Sequence, residues 1–421
     1  MFQSQHKAGS RLKSLAALFL LLAIPSLGLA QSNTESTPPA LATETKTKVL
    51  EGVKNILQTR AFVPHIDFNK WDEMIAANQE KLDRATTEND FVREVNAVLR
   101  NFGISHVGLR TPRSAQARTA TTTTGLGLTA RGTQSGLEIV TVAPESPAAK
   151  AGLVAGDVIV KINGTATTEQ TTLPQTSEEI AITVKRKDGT EAEVKVKSAE
   201  FRIASQDRLS WIDEETAVIR INSFSRGYER DNLEKMVDEA RKAKLIIVDL
   251  RNNGGGAVNN LAHLLGLFIP DTEAVGSFVN RQIVKGFQDE TKKEEWTVKE
   301  VAEWTDRKFR PSKPKVARFE GKVAVLINRG SASASEIFAG AMKEVGGAKI
   351  IGASTRGAVL ASTYGRLEGG FELQYPVSDY VTIKGQRLEG DPVTPHVEVK
   401  EQRTVDGKDA YIQAAIEAWK S

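Results

Sequence analysis

One serine lies where an apolar strand would pass into a helix, in the stretch VAVLINRGSASASEIF. Ser333 and Glu336 have the spacing of a capping box, in which a serine oxygen and a glutamate satisfy free amides at a helix start. The same position would place the hydroxyl beside unpaired backbone donors and the positive end of the helix, where an oxyanion is stabilised. The residues alone therefore leave two interpretations open, a helix cap and a nucleophile.

A second stretch, LIIVDLRNNGGG at 245 to 256, joins an apolar strand to three consecutive glycines. Glycines let backbone N–H groups turn towards a ligand without side-chain obstruction. Because ligands bind at the carboxyl ends of parallel strands, this order of strand, glycine run and helix is typical of half an oxyanion hole. The alternative is a flexible turn.

The elements that would position these residues fall into three regions of a multi-domain α/β protein. Apolar residues at helical spacing in FVREVNAVLRNFG (Phe91, Val92, Val95, Val98 and Leu99) predict a helical N-terminal region at 45–112. Short strand-like runs between turns predict a β-rich module at 120–200. Strand and helix then alternate over 201–421, which predicts an α/β core with a mostly parallel sheet, and the lysine-rich insertion at 271–318 is expected at the surface or as a lid.

The amino-acid composition indicates which partners and which cellular compartment to expect. Residues 1–30 have a basic start, a short apolar run and a small-residue end, which predicts a cleaved export signal, followed by a flexible linker at 31–44. Without that segment's three basic residues, 53 basic and 53 acidic residues balance, so neither nucleic acid nor a membrane surface is an expected partner. The chain has no cysteine, and its histidines and carboxylates lack metal-site spacing, so no metal and no cofactor is expected. We expect a periplasmic or secreted protein with no stable membrane span after signal cleavage.

Taken together, VDLRNNGGG, LINRGSASASEIFAGAM, GASTRG and LEGDPVTPHVEV resemble the C-terminal processing (tail-specific) serine proteases and their tricorn-type relatives. The resemblance implies a Clp protease/crotonase-like spiral α/β protease core and hydrolysis of peptide bonds in protein or peptide substrates, often near their C-termini. It also implies that Ser333 is the nucleophile. The amides of Ala334 and one glycine, Gly255, would form the oxyanion hole.

The sequence differs from that of the processing proteases at the residue that acts as the catalytic base. Their activating lysine would fall at position 358, 25 residues after Ser333, where this chain has Ala358. The segment NFGISHVGLRT is similar instead to the one that carries a Ser-His pair in tricorn-type enzymes, which implies roles for Ser105 and His106. Glu389 is the best match for the acidic partner, with Asp391 as the alternative. Two further alternatives remain: a different lysine such as Lys384, or a degenerate protease that only binds peptides.

The β-rich module resembles a PDZ domain, through GLGL at 125–128 and SPAAKAGLVAGDVIVKING. That resemblance implies that the loop Gly125, Leu126, Gly127 and Leu128 binds a terminal carboxylate while a peptide adds as an extra strand. The segment TTEQTTLPQTSEE, where the groove helix should lie, is interrupted by Pro174. The alternative is therefore a rigid spacer that binds nothing.

Overall fold

A computed structural model of the chain describes residues 40–174, 176–203, 207–400, 404–405 and 408–420. Residues 1–39 and 40–421 separate into two units, and the second unit is described below. The expected export signal at 1–30 and the linker residues 31–39 lie outside the described residues. Over the described ranges, none of the helices has the length and apolar character needed to cross a membrane.

The N-terminal region is helical because its apolar side chains recur on one face of each longer helix. In the fourth helix Phe91, Val95, Val98 and Leu99 are buried, as the spacing predicts, and the Thr87 side chain caps the start by accepting from the Asp90 amide. The elements are α1 (Thr43–Thr59), α2 (Trp71–Ala76), α3 (Gln79–Arg84), α4 (Glu88–Leu99), β1 (Gly108–Arg110) and α5 (Pro112–Thr119).

The β-rich module is a sheet in the order β3-β4-β5-β7-β8, with a separate ladder at its base. Its elements are β2 (Thr122–Gly125), β3 (Leu128–Thr133), β4 (Gly136–Val142), α6 (Pro147–Lys150), β5 (Val158–Ile162), β6 (Thr165–Ala166), β7 (Glu179–Lys185), β8 (Glu191–Lys197) and β9 (Ala199–Arg202). The entering strand β2 pairs antiparallel with the leaving strand β9, so the chain enters and leaves the module at one place.

No groove helix occurs in the described part of the segment 167–179, which excludes residue 175. An irregular chain runs beside β3 instead, close enough that a Cβ added to Gly132 would lie 1.9 Å from the Glu169 carbonyl oxygen. Pro174 explains part of this difference from a PDZ groove, because proline removes a helix donor and restricts the residue before it.

The core consists of two sheets and the helices on them. Its elements are β10 (Arg208–Trp211), β11 (Thr216–Arg220), α7 (Arg230–Glu239), β12 (Leu245–Asp249), α8 (Val258–Gly266), β13 (Gly276–Asn280), α9 (Arg281–Thr291), α10 (Val298–Trp304), β14 (Lys322–Ile327), α11 (Ala334–Glu344), β15 (Lys349–Gly352), β16 (Ala361–Arg366), β17 (Glu372–Thr382), β18 (Val397–Glu398), β19 (Thr404–Val405), β20 (Lys408–Asp409) and α12 (Ala410–Lys420).

The main sheet has the order β10-β11-β12-β14-β15-β18, and the strands from β11 to β18 run parallel, in accord with the alternating pattern. Helices cover both faces, so strands such as β12 are buried along their whole length. Because β12 and β14 are parallel neighbours, the glycine run and the Ser333 turn emerge at the same edge. The Ala332 amide donates to the Asn253 carbonyl at 3.1 Å and joins the two loops.

The second sheet is antiparallel and links the core to the N-terminal region. β17 is its central strand and pairs with β1, β13 and β16. The N-terminal helices pack on Phe371, Leu373 and Tyr375 around β17 in one apolar cluster. This contact holds the segment before β1, which contains His106, against the core.

The insertion at 271–318 is more than charged surface. It supplies β13 to the second sheet, and α9 buries Ile283, Val284 and Phe287 while its one lysine, Lys285, faces solvent. The charge count suggested surface material, but the apolar residues at helical spacing give the segment a core of its own.

Candidate active site

The turn at Ser333 is strained in the way a strand-to-helix nucleophile turn would be. β14 ends at Ile327, α11 begins at Ala334, and Ser333 has φ 57° and ψ −118°. This region is unfavourable for a residue with a Cβ, at about 1–3 kcal/mol. Such a conformation persists only where the surroundings hold it. The Ser333 amide donates to the Ala358 carbonyl at 2.9 Å, which is one of those contacts.

The buried carboxylate of Glu336 supplies further contacts. It accepts from the amides of Ser333 (3.0 Å), Ala358 (2.9 Å) and Gly357 (2.7 Å), and from the Thr355 hydroxyl (2.6 Å). The reach of Glu336 back to the Ser333 amide is the half of a capping box that the spacing predicts. The carboxylate also connects the loop 355–358 to the turn at Ser333, a role that spacing alone did not reveal.

Ser105, His106 and Glu389 form a hydrogen-bonded chain, although Glu389 lies 284 positions from Ser105. The Ser105 hydroxyl donates to Glu389 Oε2 at 2.8 Å and lies 2.7 Å from His106 Nδ1. Since the hydroxyl proton is given to the carboxylate, its oxygen accepts Nδ1–H, and the Nε2 lone pair of His106 is left available as a base. Glu389 also accepts from the amides of Ser105 (2.9 Å) and Val359 (2.8 Å).

The environment of His106 favours the neutral imidazole. Burial lowers the pKa of His106 below its ordinary 6.5, and the Arg356 guanidinium lowers it further, while the Glu389 carboxylate opposes both. A histidine with a lowered pKa is unprotonated at neutral pH, which is the state a general base requires.

Ser333 and His106 line the same cavity, of about 820 Å³. The cavity is lined by residues of the Ser333 turn, of the glycine run and of the segment 358–362, which begins in the loop bound by Glu336. Apolar side chains contributed by four parts of the core also face it: Val258, Leu261, Phe278, Ile337, Val359 and Leu360. A cavity of this size and lining can accept several residues of an extended peptide.

The glycine run places its amides differently from the expected oxyanion hole. The Gly255 amide donates to the Asn253 side chain at 2.9 Å, so it is already engaged. Gly255 instead packs on the Ser333 turn, since an added Cβ would lie 2.7 Å from the Ser333 Cβ and 2.8 Å from the Ala334 nitrogen. Among the hydrogen bonds of the described residues, none uses the amides of Ala334, Gly254 or Gly256, all of which line the cavity. Gly254 and Gly256 therefore have amides free to donate there, whereas Gly255 does not.

The alternative participants, Lys384 and Asp391, lie elsewhere. The described residues that line the cavity include Ala358 but no lysine, so Lys384 is not among them. Asp391 accepts from the Gln386 side chain at 3.1 Å, whereas Glu389 contacts Ser105.

The loop expected to bind a terminal carboxylate is built into the module's core. Leu126 is buried and Leu128 packs against the same apolar cluster, while Gly127 has φ 77° and lies close to Ser146. The Gly127 carbonyl accepts from the Ala143 amide at 2.7 Å. Gly125 ends β2, where it pairs with Ala199. The loop therefore has a fixed conformation, and no groove helix faces it in the described residues.

Sequence reasoning missed the basic lining of the cavity. Arg110 and Arg118 line it from opposite ends of the β1–α5 segment, and both approach the Tyr364 ring. Their spacing in GLRTPRSAQAR does not predict that both line one cavity, because the chain changes direction between β1 and α5.

Comparison with known proteins identifies both modules. Residues 215–399 match the peptidase family S41, and residues 138–186 match the PDZ domain. A "Probable CtpA-like serine protease" of Staphylococcus saprophyticus is 28% identical over 290 residues, which cover 66% of this chain and 53% of the relative. A protein of the same name from Staphylococcus aureus is 27% identical over 266 residues, 60% of this chain and 48% of the relative. The matched segment thus spans about half the length of these curated relatives.

The crystal structure of the tricorn protease has a similar fold. The two structures superpose with a TM-score of 0.54 at 17% identity, over 89% of this chain and 36% of that chain. At this identity the likeness concerns the fold alone.

Proposed function

We propose that this chain, whose residues 215–399 match peptidase family S41 and whose residues 138–186 match the PDZ domain, is a serine endopeptidase that uses a histidine base. The observation that carries the proposal is the hydrogen-bonded chain from Glu389 through Ser105 to His106, ending at the cavity that Ser333 lines. This arrangement supplies a proton acceptor where Ala358 offers only a methyl group.

In the proposed reaction, Ser333 Oγ attacks the carbonyl carbon of a bound peptide bond and passes its proton to His106 Nε2. Ser105 keeps Nδ1 as the donor nitrogen, and the negative charge of Glu389 stabilises the imidazolium. The tetrahedral oxyanion accepts hydrogen bonds from the Ala334 amide and a glycine amide, for which Gly254 and Gly256 are favoured over Gly255. The imidazolium then gives its proton to the leaving amine, and water hydrolyses the acyl-enzyme by the reverse sequence.

The main rival is a degenerate protease that binds peptides without cutting them. Ala358 favours it, because the lysine of the processing proteases is absent. The Glu389–Ser105–His106 chain favours catalysis, because a binding protein gains nothing from a neutral imidazole that lines the same cavity as a strained serine. The two functions differ in whether Ser333 reacts covalently.

Labelling with a serine-directed phosphonate, together with hydrolysis of unfolded casein, tests the proposal. The wild type should be labelled at Ser333, and Ser333→Ala should abolish labelling. His106→Ala should lower hydrolysis by about 10²–10⁴-fold, whereas His65→Ala, which changes an exposed histidine stacked on Trp296, should not. A folded wild type that neither labels nor cleaves, or a His106→Ala variant that keeps its activity, rules the mechanism out.

We also propose that the protein acts outside the cytoplasm and takes proteins or peptides by their C-termini. The expected export signal at 1–30 supports the first part, and N-terminal sequencing of the mature protein should begin at Gln31. The PDZ domain and its loop Gly125–Leu128 support the second. Amidation of a peptide's C-terminus should weaken its binding to the wild type, and equal binding of the acid and the amide would contradict this part of the proposal.

A further inference from the structure

The cavity that Ser333 and His106 share has a strongly basic side. Arg110, Arg118 and Arg356 line it. A second cavity of about 540 Å³ adjoins it, because both are lined by Arg110, Arg118 and Ser225, and Arg226 adds a further guanidinium there. Asp207 is the one carboxylate among the described residues that line the two cavities.

Among the described residues, only one of these four cations, Arg118, forms an ion pair. Arg118 binds the Glu372 carboxylate with two bonds of 2.8 Å each. None of the ion pairs between described residues includes Arg110, Arg226 or Arg356. Arg110 donates to the amide oxygen of Gln374 at 3.3 Å, and that partner carries no charge.

The side chain of Arg110 is oriented by its contacts with neighbouring residues. Its guanidinium lies 5.6 Å from the centre of the Tyr364 ring, and that of Arg118 stacks on the same ring at 3.8 Å. The bidentate bond to Glu372 fixes Arg118, and Arg110 lies on β1 directly opposite Glu372 in the sheet. A half-buried, oriented guanidinium without an anion is suited to bind a carboxylate.

We propose that Arg110, assisted by Arg226, binds a carboxylate of the substrate chain as that chain runs from the active site into the adjoining cavity. The carboxylate can come from an aspartate or glutamate side chain or from the substrate's own C-terminus. Arg110 is thus a specificity-determining residue. A test by cleavage depends on the proposed function, because it requires a protease, whereas a test by peptide binding does not.

The cleavage test uses a peptide library from a bacterial proteome digest, with the cut sites read by mass spectrometry. The wild type should enrich aspartate and glutamate by about five- to tenfold at one or more positions near the cut, and less at high salt. Arg110→Gln should remove the enrichment, and Arg110→Glu should replace it with enrichment of lysine and arginine. Arg113→Gln, an exposed arginine on α5 that lines neither cavity, is the matched control and should keep it.

The binding test uses Ser333→Ala protein and short labelled peptides that differ only in carrying glutamate or glutamine, each as free acid and as amide. Glutamate peptides should bind about fivefold more tightly, and the difference should vanish when Arg110→Gln is added. A difference between acid and amide alone would instead assign the carboxylate to the chain terminus. Equal affinity for all four peptides overturns the inference, as does cleavage by the wild type that favours neither acidic residues near the cut nor cut sites close to a peptide's C-terminus. A wild type that binds with this preference but cuts nothing refutes the proposed function alone.

Discussion

Replacing Glu336 by glutamine should damage both the stability and the activity of the core. The glutamate carboxylate accepts four hydrogen bonds, two at each oxygen, and no part of it reaches solvent. Glutamine has nearly the same shape, but one of its two terminal atoms is an NH₂ donor. Whichever way the amide is turned, one backbone amide of the surrounding protein loses its acceptor. At Oε1 this is the Gly357 amide, because the Thr355 hydroxyl can rotate and accept instead; at Oε2 it is the Ala358 amide, because the Ser333 amide still donates to the Ala358 carbonyl.

The magnitude follows from that lost acceptor. A buried donor left without a partner costs about 1–3 kcal/mol, so the variant should lose about that much unfolding free energy. If the amide nitrogen replaces Oε2, the Ala358 amide loses its acceptor and the Ser333 amide keeps only the Ala358 carbonyl. The strained turn at Ser333 would then lose one of its restraints, and kcat/KM should fall by about 10²-fold or more even where the protein stays folded.

Urea unfolding and casein hydrolysis at low temperature measure the two effects separately. Glu303→Gln on α10 is the matched control, because Glu303 is exposed and its contact with Lys299 is long, at 3.7 Å; it should change stability by less than about 0.5 kcal/mol. If Glu336→Gln unfolds at the same urea concentration as the wild type and cleaves at the same rate, the carboxylate does not hold the turn and the reasoning fails.

Three further predictions concern the reacting groups. The pKa of His106 is lowered and the neutral ring is the proposed base, so kcat/KM should rise with pH to a plateau through a midpoint below 6.5. Arg356→Gln should move that midpoint upward, because it removes a charge that lowers the pKa of His106. A midpoint well above 8 would point to a lysine base. Ser105→Ala should lower kcat/KM by about 10²–10⁴-fold with little change in unfolding, since it removes the acceptor of His106 Nδ1–H, and a loss under threefold would contradict this. Gly255→Ala should lower the rate of hydrolysis by at least about 10²-fold, because the φ of 90° and the crowded Ser333 turn leave no room for a methyl group. Gly254→Ala should lower it far less, because a Cβ at Gly254 would meet nothing within 4 Å. Equal effects would show that crowding at this turn is unimportant.

Local patterns predicted the helices and strands well. The face of α4 and the parallel sheet both follow from periodicities of side-chain burial, which depend on residues near in sequence. The insertion at 271–318 was harder, because its many charges obscure the apolar face of α9.

The candidate site depends on contacts that no local pattern contains. His106 and Glu389 were expected only through a family resemblance, because nothing in either segment indicates that they meet. The glycine run shows the same difficulty at close range: the three glycines have the same side chain, but the fold gives Gly255 and Gly256 different φ angles and commits one amide to Asn253. The roles of the three amides therefore could not be assigned from their spacing.

The ladder between β2 and β9 has an implication for how such a chain could arise. Since both ends of the PDZ domain emerge side by side, removing residues between them would leave two paired strands that a short turn can close, at a small entropic cost. His106 precedes this junction and Ser333 follows it, so neither would need to move. We therefore expect that the module can be deleted, or exchanged for another domain, while the core around it stays folded.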